Sequence, residues 1–177
     1  MRDTRKELLT YWFDDIDPKQ WFQRNEMFDQ EVTERFLSSY KIAMHGWCDS
    51  WRDDAQGCVA LCLLLDHIPR IIFRGTPRAF ASDEKALLIA KYAISKSYDE
   101  VVENAKKRFI YQPFLHSENL QDQRQSVALF AKSRDRDPVS YDHACRRMDV
   151  IGKYGRFPQR NAILGRVNTQ EEDLYLL

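Results

Sequence analysis

Val59–Asp83 reads VALCLLLDHIPRIIFRGTPRAFASD and is the part of the chain around which the other helices are expected to assemble. Its first seven residues, Val59–Leu65, are all apolar, too few to cross a membrane, and without a one-sided pattern. They therefore predict a helix that is buried on every face. Asp66 and His67 close this run, and Pro69 interrupts a regular helix. Three arginines follow at four-residue intervals, at Arg70, Arg74 and Arg78.

Length and composition indicate a globular protein with one hydrophobic core. A chain of 177 residues suits a single domain, residues 1–177, and can bury roughly two thirds of its unfolded surface. Hydrophobic residues make up 44% of the chain, and the six glycines and six prolines are too few for a low-complexity linker. The formal charge is zero and the pI is about 6.9, so no overall field favours nucleic acid or an anionic membrane.

The cysteines and the N-terminus favour a cytoplasmic protein. Four cysteines are few for a disulfide scaffold, and most lie in predicted helices, which fits a reducing compartment. The first residues, MRDTRKELLTYWF, lack the long apolar core and the cleavage site of a signal peptide, and no membrane anchor is expected. The cysteines are Cys48, Cys58, Cys62 and Cys145.

Hydrophobic periodicity predicts an all-α fold, a compact set of helices with no strand pair and no internal repeat of fixed period. Between the first two helices, Trp21 and Phe22 are expected to fill the core from a non-helical segment. The second helix carries an apolar stripe at Phe28, Val32, Phe36 and Tyr40.

Capping signals predict where the middle helices begin and end. Ser82 is a suitable N-cap for the helix that follows it. A short helix over Glu103–Gln112 should end before Pro113, because the residue before a proline disfavours helical geometry. Ser117 is then expected to cap the next helix, with Glu118 in its first turn.

Capping signals also predict the beginnings and ends of the C-terminal helices. Asp137 should cap a long helix that Gly152 and Gly155 end, followed by an irregular segment. Thr169 and Glu172 are spaced as a capping box, which predicts a short final helix.

Three long segments and an early Trp-Phe pair resemble a known bacterial family. The segments are LLDHIPRIIFRGTPRAFASD, FIYQPFLHSENLQDQRQSVALF and YGRFPQRNAILGRVNTQEE, in this order. They resemble the family catalogued as domain of unknown function 924 over nearly the whole chain. The resemblance implies an all-helical, tetratricopeptide-like fold of helical hairpins and no established activity. Departures are His67 and Ile68, where the family commonly has Gln-Phe, and Gln159, where His is usual.

The resemblance carries over a set of motif positions. The first segment contributes Asp66, Pro69, Arg70, Arg74, Gly75 and Arg78. The second contributes Arg108, Tyr111, His116, Ser117, Glu118 and Gln123. The third contributes Gly155, Arg156, Pro158, Arg160, Asn161, Gly165, Arg166 and Thr169.

Two arginine-rich segments are predicted to meet in one cleft and bind an anion. Guanidinium groups bind carboxylates and phosphates bidentately, and the arginines of the C-terminal segment have no neighbouring acid in the sequence. The alternative is that the arginines tie helices together by pairing with Asp66, Asp83, Glu118 or backbone carbonyls. The predicted ligand-binding residues are Asp66, Arg70, Arg74, Arg78, His116, Glu118, Gln123, Arg156, Arg160 and Asn161.

Three functions are compatible with these patterns. The first is a binding module for an anionic small molecule or an acidic peptide. The second is a hydrolase or transferase acting on a phosphate- or carboxylate-bearing substrate, with His116 or Glu118 as acid or base. The third is a protein-interaction scaffold. The sequence has neither a nucleophile motif nor the spacing of metal ligands, so no metal site is predicted, and no cofactor is indicated.

Overall fold

The computed structural model describes residues 4–177. It is 78% helical, and no strand occurs within these residues. The predicted all-α fold is confirmed, while the tetratricopeptide-like arrangement of hairpins stays a prediction. The α-helices are α1 Thr4–Thr10, α2 Glu26–Met44, α3 Ala55–Cys62, α4 Ile68–Ile72, α5 Asp83–Ser95, α6 Tyr98–Val101, α7 Asn104–His116, α8 Leu120–Ala131, α9 Pro138–Tyr154, α10 Asn161–Leu164 and α11 Gln170–Leu176. Shorter 3₁₀ turns span Pro18–Phe22, Asp49–Asp53, Pro77–Phe80 and Pro158–Arg160, and π-helical turns span Tyr11–Asp15 and Leu63–His67.

The predicted buried helix is the middle of a continuous helical stretch, Ala55–Ile72. In it, α3 runs through the second π-helical turn into α4, and the stretch packs against α2, α5 and α7. By length and composition it could cross a membrane, but 78% of it is buried inside the protein, as in the core helix of a globular fold. The π-helical turn carries Asp66 and His67, both buried, and such turns are frequent at functional sites.

Ser82 was predicted to cap α5, but its hydroxyl bonds to the central helix, and Pro69 explains why. A proline has no N–H, so Pro69 cannot donate to the carbonyl of Leu65 four residues earlier. The Ser82 hydroxyl donates to this carbonyl instead, at 2.5 Å. Ser82 does precede α5, but its side chain makes no capping bond. The bond to Leu65 fixes the start of α5, and with it Asp83, against the central helix.

Helix α7 is longer than predicted, because Pro113 lies inside it. Every residue of Phe109–Leu115 is buried, and α7 packs against α3, α5 and α8. This packing outweighs the local cost of a proline within a helix. The prediction that the helix ends before Pro113 is therefore wrong, and His116 lies in the last turn of α7.

Asn119, and not Ser117, caps α8. Asn119 Oδ1 accepts from the backbone N–H groups of Gln121 and Asp122 at 2.8 and 3.4 Å. The Ser117 hydroxyl donates to the Asp122 carboxylate at 2.8 Å. Glu118 therefore precedes the helix instead of lying in its first turn, and its carboxylate reaches the C-terminal segment.

Trp21 and Phe22 lie side by side in a 3₁₀ turn but differ in burial. Trp21 is buried, and its indole N–H donates to the Trp12 carbonyl at 3.0 Å. Phe22 is 48% exposed, so the prediction that it fills the core is wrong. The Arg108 guanidinium lies over the Phe22 ring, 4.1 Å from its centroid.

The C-terminal helices begin largely as predicted. Asp137 caps α9 through its side chain, and Gly155 ends the helix in the left-handed conformation with φ 69°. Gly152 lies within α9 and does not end it. Thr169 and Glu172 make both hydrogen bonds of the predicted capping box at the start of α11.

Candidate functional site

A cleft of about 370 Å³ is bordered by the 3₁₀ turn at residues 18–22, by the π-helical turn at residues 63–67, and by α4, α7, α8 and α9. Basic and apolar side chains share its walls. The basic lining consists of Arg70, Arg74, Arg108, Arg147, His67, His116 and His143. The apolar lining consists of Trp21, Phe22, Ile71, Leu115 and Phe130. The buried Ser140 also lines the cleft, and its hydroxyl has no hydrogen-bond partner within residues 4–177.

A buried carboxylate holds His116 at the cleft wall. Both oxygens of Asp66 lie 2.9 Å from His116 Nδ1. The Asp66 side chain is 1% exposed and lies behind the imidazole, outside the cleft lining. Since His116 lines the cleft and Asp66 does not, the ring edge away from Nδ1, which carries Nε2, lies on the cleft side. Within the described part of the chain, Nε2 has no hydrogen-bond partner.

Burial and nearby guanidinium groups keep the His116 imidazole neutral. Burial lowers the pKa of His116 well below its usual value, and Arg70, Arg147 and Arg160 lower it further. Burial raises the pKa of Asp66, while Arg70, 3.3 Å from the carboxylate, opposes that shift. The neutral imidazole thus donates its Nδ1–H to the Asp66 carboxylate and offers Nε2 as an acceptor.

Asp83 joins arginines from the two arginine-rich segments. Arg70 donates to both Asp83 oxygens at 2.8 Å. Arg160 Nη1 lies 3.5 Å from the same carboxylate, and Arg160 Nη2 donates to the His116 carbonyl at 3.0 Å. The structure therefore brings Arg70, Arg160 and His116 together. Arg160 is buried behind this group and does not line the cleft.

Arg74 and Arg78 are placed differently from Arg70. Arg74 lines the cleft, but its guanidinium donates to both Asp29 oxygens, at 2.8 and 2.9 Å. Arg78 lies over the Phe73 ring, 4.0 Å from its centroid, and is outside the cleft lining. Arg74 thus lines the cleft with its guanidinium paired to Asp29, and Arg78 is not part of the cleft.

Arg108 and Arg147 line the cleft and have no carboxylate within 4.0 Å among residues 4–177. Arg147 Nε donates to His143 Nε2 at 3.3 Å. Burial, with repulsion from Arg160 and Arg70, lowers the pKa of Arg147 to about 10. Burial also lowers the pKa of Arg108. A partly buried cation without an acid partner is a group that an anionic ligand would stabilise.

Glu118 and Arg156 belong to a separate ion-pair network, which ties the C-terminal segment to the body. Glu118 accepts from Arg166 at 2.7 and 3.0 Å and from the Phe157 N–H at 2.8 Å. Arg156 donates two hydrogen bonds of 2.6 Å to Glu172. These arginines have no acid beside them in the sequence, but acids from elsewhere in the chain pair with them, as in the alternative in which the arginines tie helices together. Neither Glu118 nor Arg156 lines the cleft.

Gln123 and Asn161 are buried and bind other parts of the chain. Gln123 Nε2 donates to the carbonyls of Leu115 and Ser117 at 2.9 and 2.6 Å. Asn161 Nδ2 donates to Asn168 Oδ1 at 2.7 Å. Of the ten predicted ligand-binding residues, Arg70, Arg74 and His116 are in the cleft lining. Within residues 4–177, no three His, Cys, Asp or Glu side chains are grouped to hold a metal ion.

Comparison with known proteins agrees with the resemblance seen in the sequence. The model of the family described as "Bacterial protein of unknown function (DUF924)" matches residues 8–177. The chain belongs to this family. A solved structure, of the protein of unknown function ATU0120 from Agrobacterium tumefaciens, is similar to it, with a TM-score of 0.91 and 33% sequence identity. The match covers 97% of this chain and 96% of that one. No curated protein matches the chain significantly.

Of the departures from the DUF924 motifs, His67 lies in the cleft and Gln159 lies outside it. His67 lines the cleft, and its Nε2–H donates to the Trp21 carbonyl at 2.7 Å, while its ring packs edge-on against Phe109. Gln159 is exposed in the 3₁₀ turn at residues 158–160 and does not line the cleft. The chemistry of this cleft therefore does not involve position 159.

Arg147 and His143 are not among the residues predicted to bind a ligand, and Arg108 is predicted only as a DUF924 motif position. Helical spacing is the signal that could have found them. Ser140, His143 and Arg147 follow each other at three and four residues on one face of α9. Arg108 precedes His116 by eight residues on α7, so both can face the same side of that helix.

Proposed function

We propose that this DUF924 protein binds a small organic anion in the cleft, with Arg147 and Arg108 as its cationic partners. The observation that carries the proposal is a charge imbalance. Three guanidinium groups surround the two carboxylates Asp66 and Asp83, and three minus two leaves one positive charge without a counter-ion. A bound carboxylate or phosphate would balance it. The three guanidinium groups belong to Arg70, Arg147 and Arg160.

The apolar part of the lining favours an organic ligand over an inorganic ion. Trp21, Phe22 and Phe130 present aromatic surface to the same space as the arginines. A cavity of roughly 150 Å³ holds a benzene ring, so a cleft of about 370 Å³ accommodates an anionic head with an apolar body. An acidic peptide, the other predicted ligand, would place one carboxylate here and leave most of its length outside.

Arg147→Gln tests the proposal, with Arg146→Gln as its matched control, because Arg146 is an exposed neighbour on the same helix. Thermal unfolding is measured in rising concentrations of benzoate and of phenyl phosphate. A ligand that binds the native state raises the Tm with its concentration. We expect this rise in the wild type and in Arg146→Gln, and its loss in Arg147→Gln. An unchanged rise in Arg147→Gln, or none in the wild type, would contradict the proposal.

The Asp66–His116 pair supports a second candidate, a hydrolase or transferase acting on a phosphate- or carboxylate-bearing substrate. A buried carboxylate that orients an imidazole at the cleft is the geometry of a general base, and a bound anionic substrate would offset the arginine repulsion that lowers the pKa of His116. Glu118 has no part in this candidate, since Arg166 and Phe157 occupy its oxygens. Hydrolysis of phenyl acetate or phenyl phosphate by the wild type, lost in His116→Asn, would support catalysis over binding alone.

We also infer that residues 1–177 form one domain that acts in the cytoplasm. Buried side chains from α1 to α9 share a hydrophobic core, which supports one domain. The four cysteines are free, which fits a reducing compartment. The interaction scaffold, the third predicted function, stays a prediction.

A further inference from the structure

The polar groups at the inner wall of the cleft include an acceptor as well as cations. His116 lines the cleft with Nδ1 bonded to Asp66, which is outside the lining, and its other nitrogen, Nε2, has no partner within the described residues. The His116 side chain as a whole is 11% exposed, so a ligand in the cleft would cover most of what water now reaches. An acceptor that a ligand covers without donating to it loses its hydration, which costs binding free energy.

A simple carboxylate or an ester-linked dianionic phosphate cannot satisfy this nitrogen. Such anions carry acceptor oxygens only, so they pair with Arg147 and leave His116 Nε2 without a donor. A ligand that matches the wall must therefore combine an anionic group with a nearby hydrogen-bond donor.

The surrounding charge decides which kind of donor fits. Arg70, Arg147 and Arg160 all act electrostatically on His116 and disfavour additional positive charge there. An ammonium group next to the anion, as in an amino acid, would meet this repulsion. A hydroxyl group donates a hydrogen bond without bringing a positive charge.

We propose that the ligand of this cleft is a hydroxylated organic anion, whose hydroxyl group lies next to its carboxylate or phosphate and donates to His116 Nε2. This inference rests on the proposed anion site and specifies the ligand class that the site takes. Arg147 binds the anionic group, the aromatic lining contacts the apolar body, and Asp66 holds the imidazole so that Nε2 stays the acceptor.

Three probes that differ at one position test the inference on the full chain. Mandelate carries a hydroxyl next to its carboxylate, phenylacetate carries hydrogen there, and phenylglycine carries an ammonium group. Their affinities are measured by calorimetric titration near neutral pH, with both enantiomers of the chiral probes. One hydrogen bond to this acceptor corresponds to roughly a fivefold to tenfold tighter Kd. We expect mandelate to bind tightest and phenylglycine weakest.

His116→Asn is the matched variant. The asparagine amide nitrogen can take the place of Nδ1 and keep a bond to Asp66, while no atom remains at the position of Nε2. We expect mandelate and phenylacetate to bind this variant equally. If the variant does not fold, the wild-type ranking alone decides the inference.

The outcomes separate this inference from the proposed function. Equal binding of mandelate and phenylacetate to the wild type would overturn the hydroxyl assignment and leave the anion site intact. Tightest binding of phenylglycine would overturn it in favour of an amino acid ligand. Failure of all three probes to bind, together with no stabilisation by benzoate, would overturn the anion site itself.

Discussion

Arginine has two different roles in this protein, and the distance to a carboxylate decides between them. Arg70 and Arg156 each make two short bonds to a carboxylate, which orders the segments that they join. Arg147 has no such partner within residues 4–177 and lies among other guanidinium groups. Its charge is therefore a cost to the ligand-free fold, of the kind that proteins retain at functional sites.

Arg147→Gln should not lower the free energy of unfolding of the ligand-free protein, because it removes a poorly solvated charge that Arg160 and Arg70 repel. Arg70→Gln should lower it by roughly 3 kcal/mol, since two largely buried carboxylates lose their main partner. Urea unfolding of both variants in an anion-free buffer measures the difference. A loss of similar size in the two variants would show that Arg147 is structural.

Helices whose position depends on local hydrophobic periodicity and capping residues were predictable from the sequence. The stripe of α2, the caps Asp137 and Thr169, and the central buried helix all occur where periodicity and capping residues indicate. The structure differs from the prediction at Pro113 and Ser117, because tertiary contacts override the local conformational preference there. The packing of α7 keeps Pro113 helical, and Ser117 bonds Asp122 instead of capping α8.

The capping box at the start of α11 can be tested by substitution. Thr169→Ala removes one bond of the capping box and should cost about 1 kcal/mol. The effect should be local, so hydrogen exchange should speed up in residues 170–176 and stay unchanged in α3. Thr10→Ala, at an exposed position, is the control and should leave both helices unaffected. Uniformly faster exchange across the molecule would show that the box stabilises more than α11.

The fold class of the whole molecule could be predicted from the sequence, whereas only some residues of the site could. Asp66, Arg70 and His116 were identifiable because each stands next to a strong signal, a buried run or a family motif. Arg147 was not, since an arginine on an amphipathic helix usually faces solvent. Its significance arises only when α9, packed against α8, brings Arg147 to the cleft that α4 and α7 also line, and that placement depends on long-range packing.

His67, buried and neutral in the central helical stretch, makes the free energy of unfolding depend on pH. Burial lowers the pKa of His67 to about 4, and Arg70 contributes in the same direction, against the opposing effects of Trp21 and Asp66. An unfolded histidine has a pKa of about 6.5. Between these values the unfolded state binds more protons than the native state, so stability falls as the pH falls from 6.5 to 4.

His67→Gln should remove this contribution, since glutamine does not titrate and is common at this position in the family motif. Relative to the variant, the wild type should lose about 1.4 kcal/mol for each pH unit below 6.5, and roughly 3 kcal/mol in all by pH 4. Urea unfolding of both proteins at several pH values measures the difference, in which the titration of groups common to both proteins largely cancels. His45→Gln, at an exposed position, serves as a control for histidine removal as such. Parallel stability curves for the wild type and His67→Gln would show that His67 is not held neutral by burial.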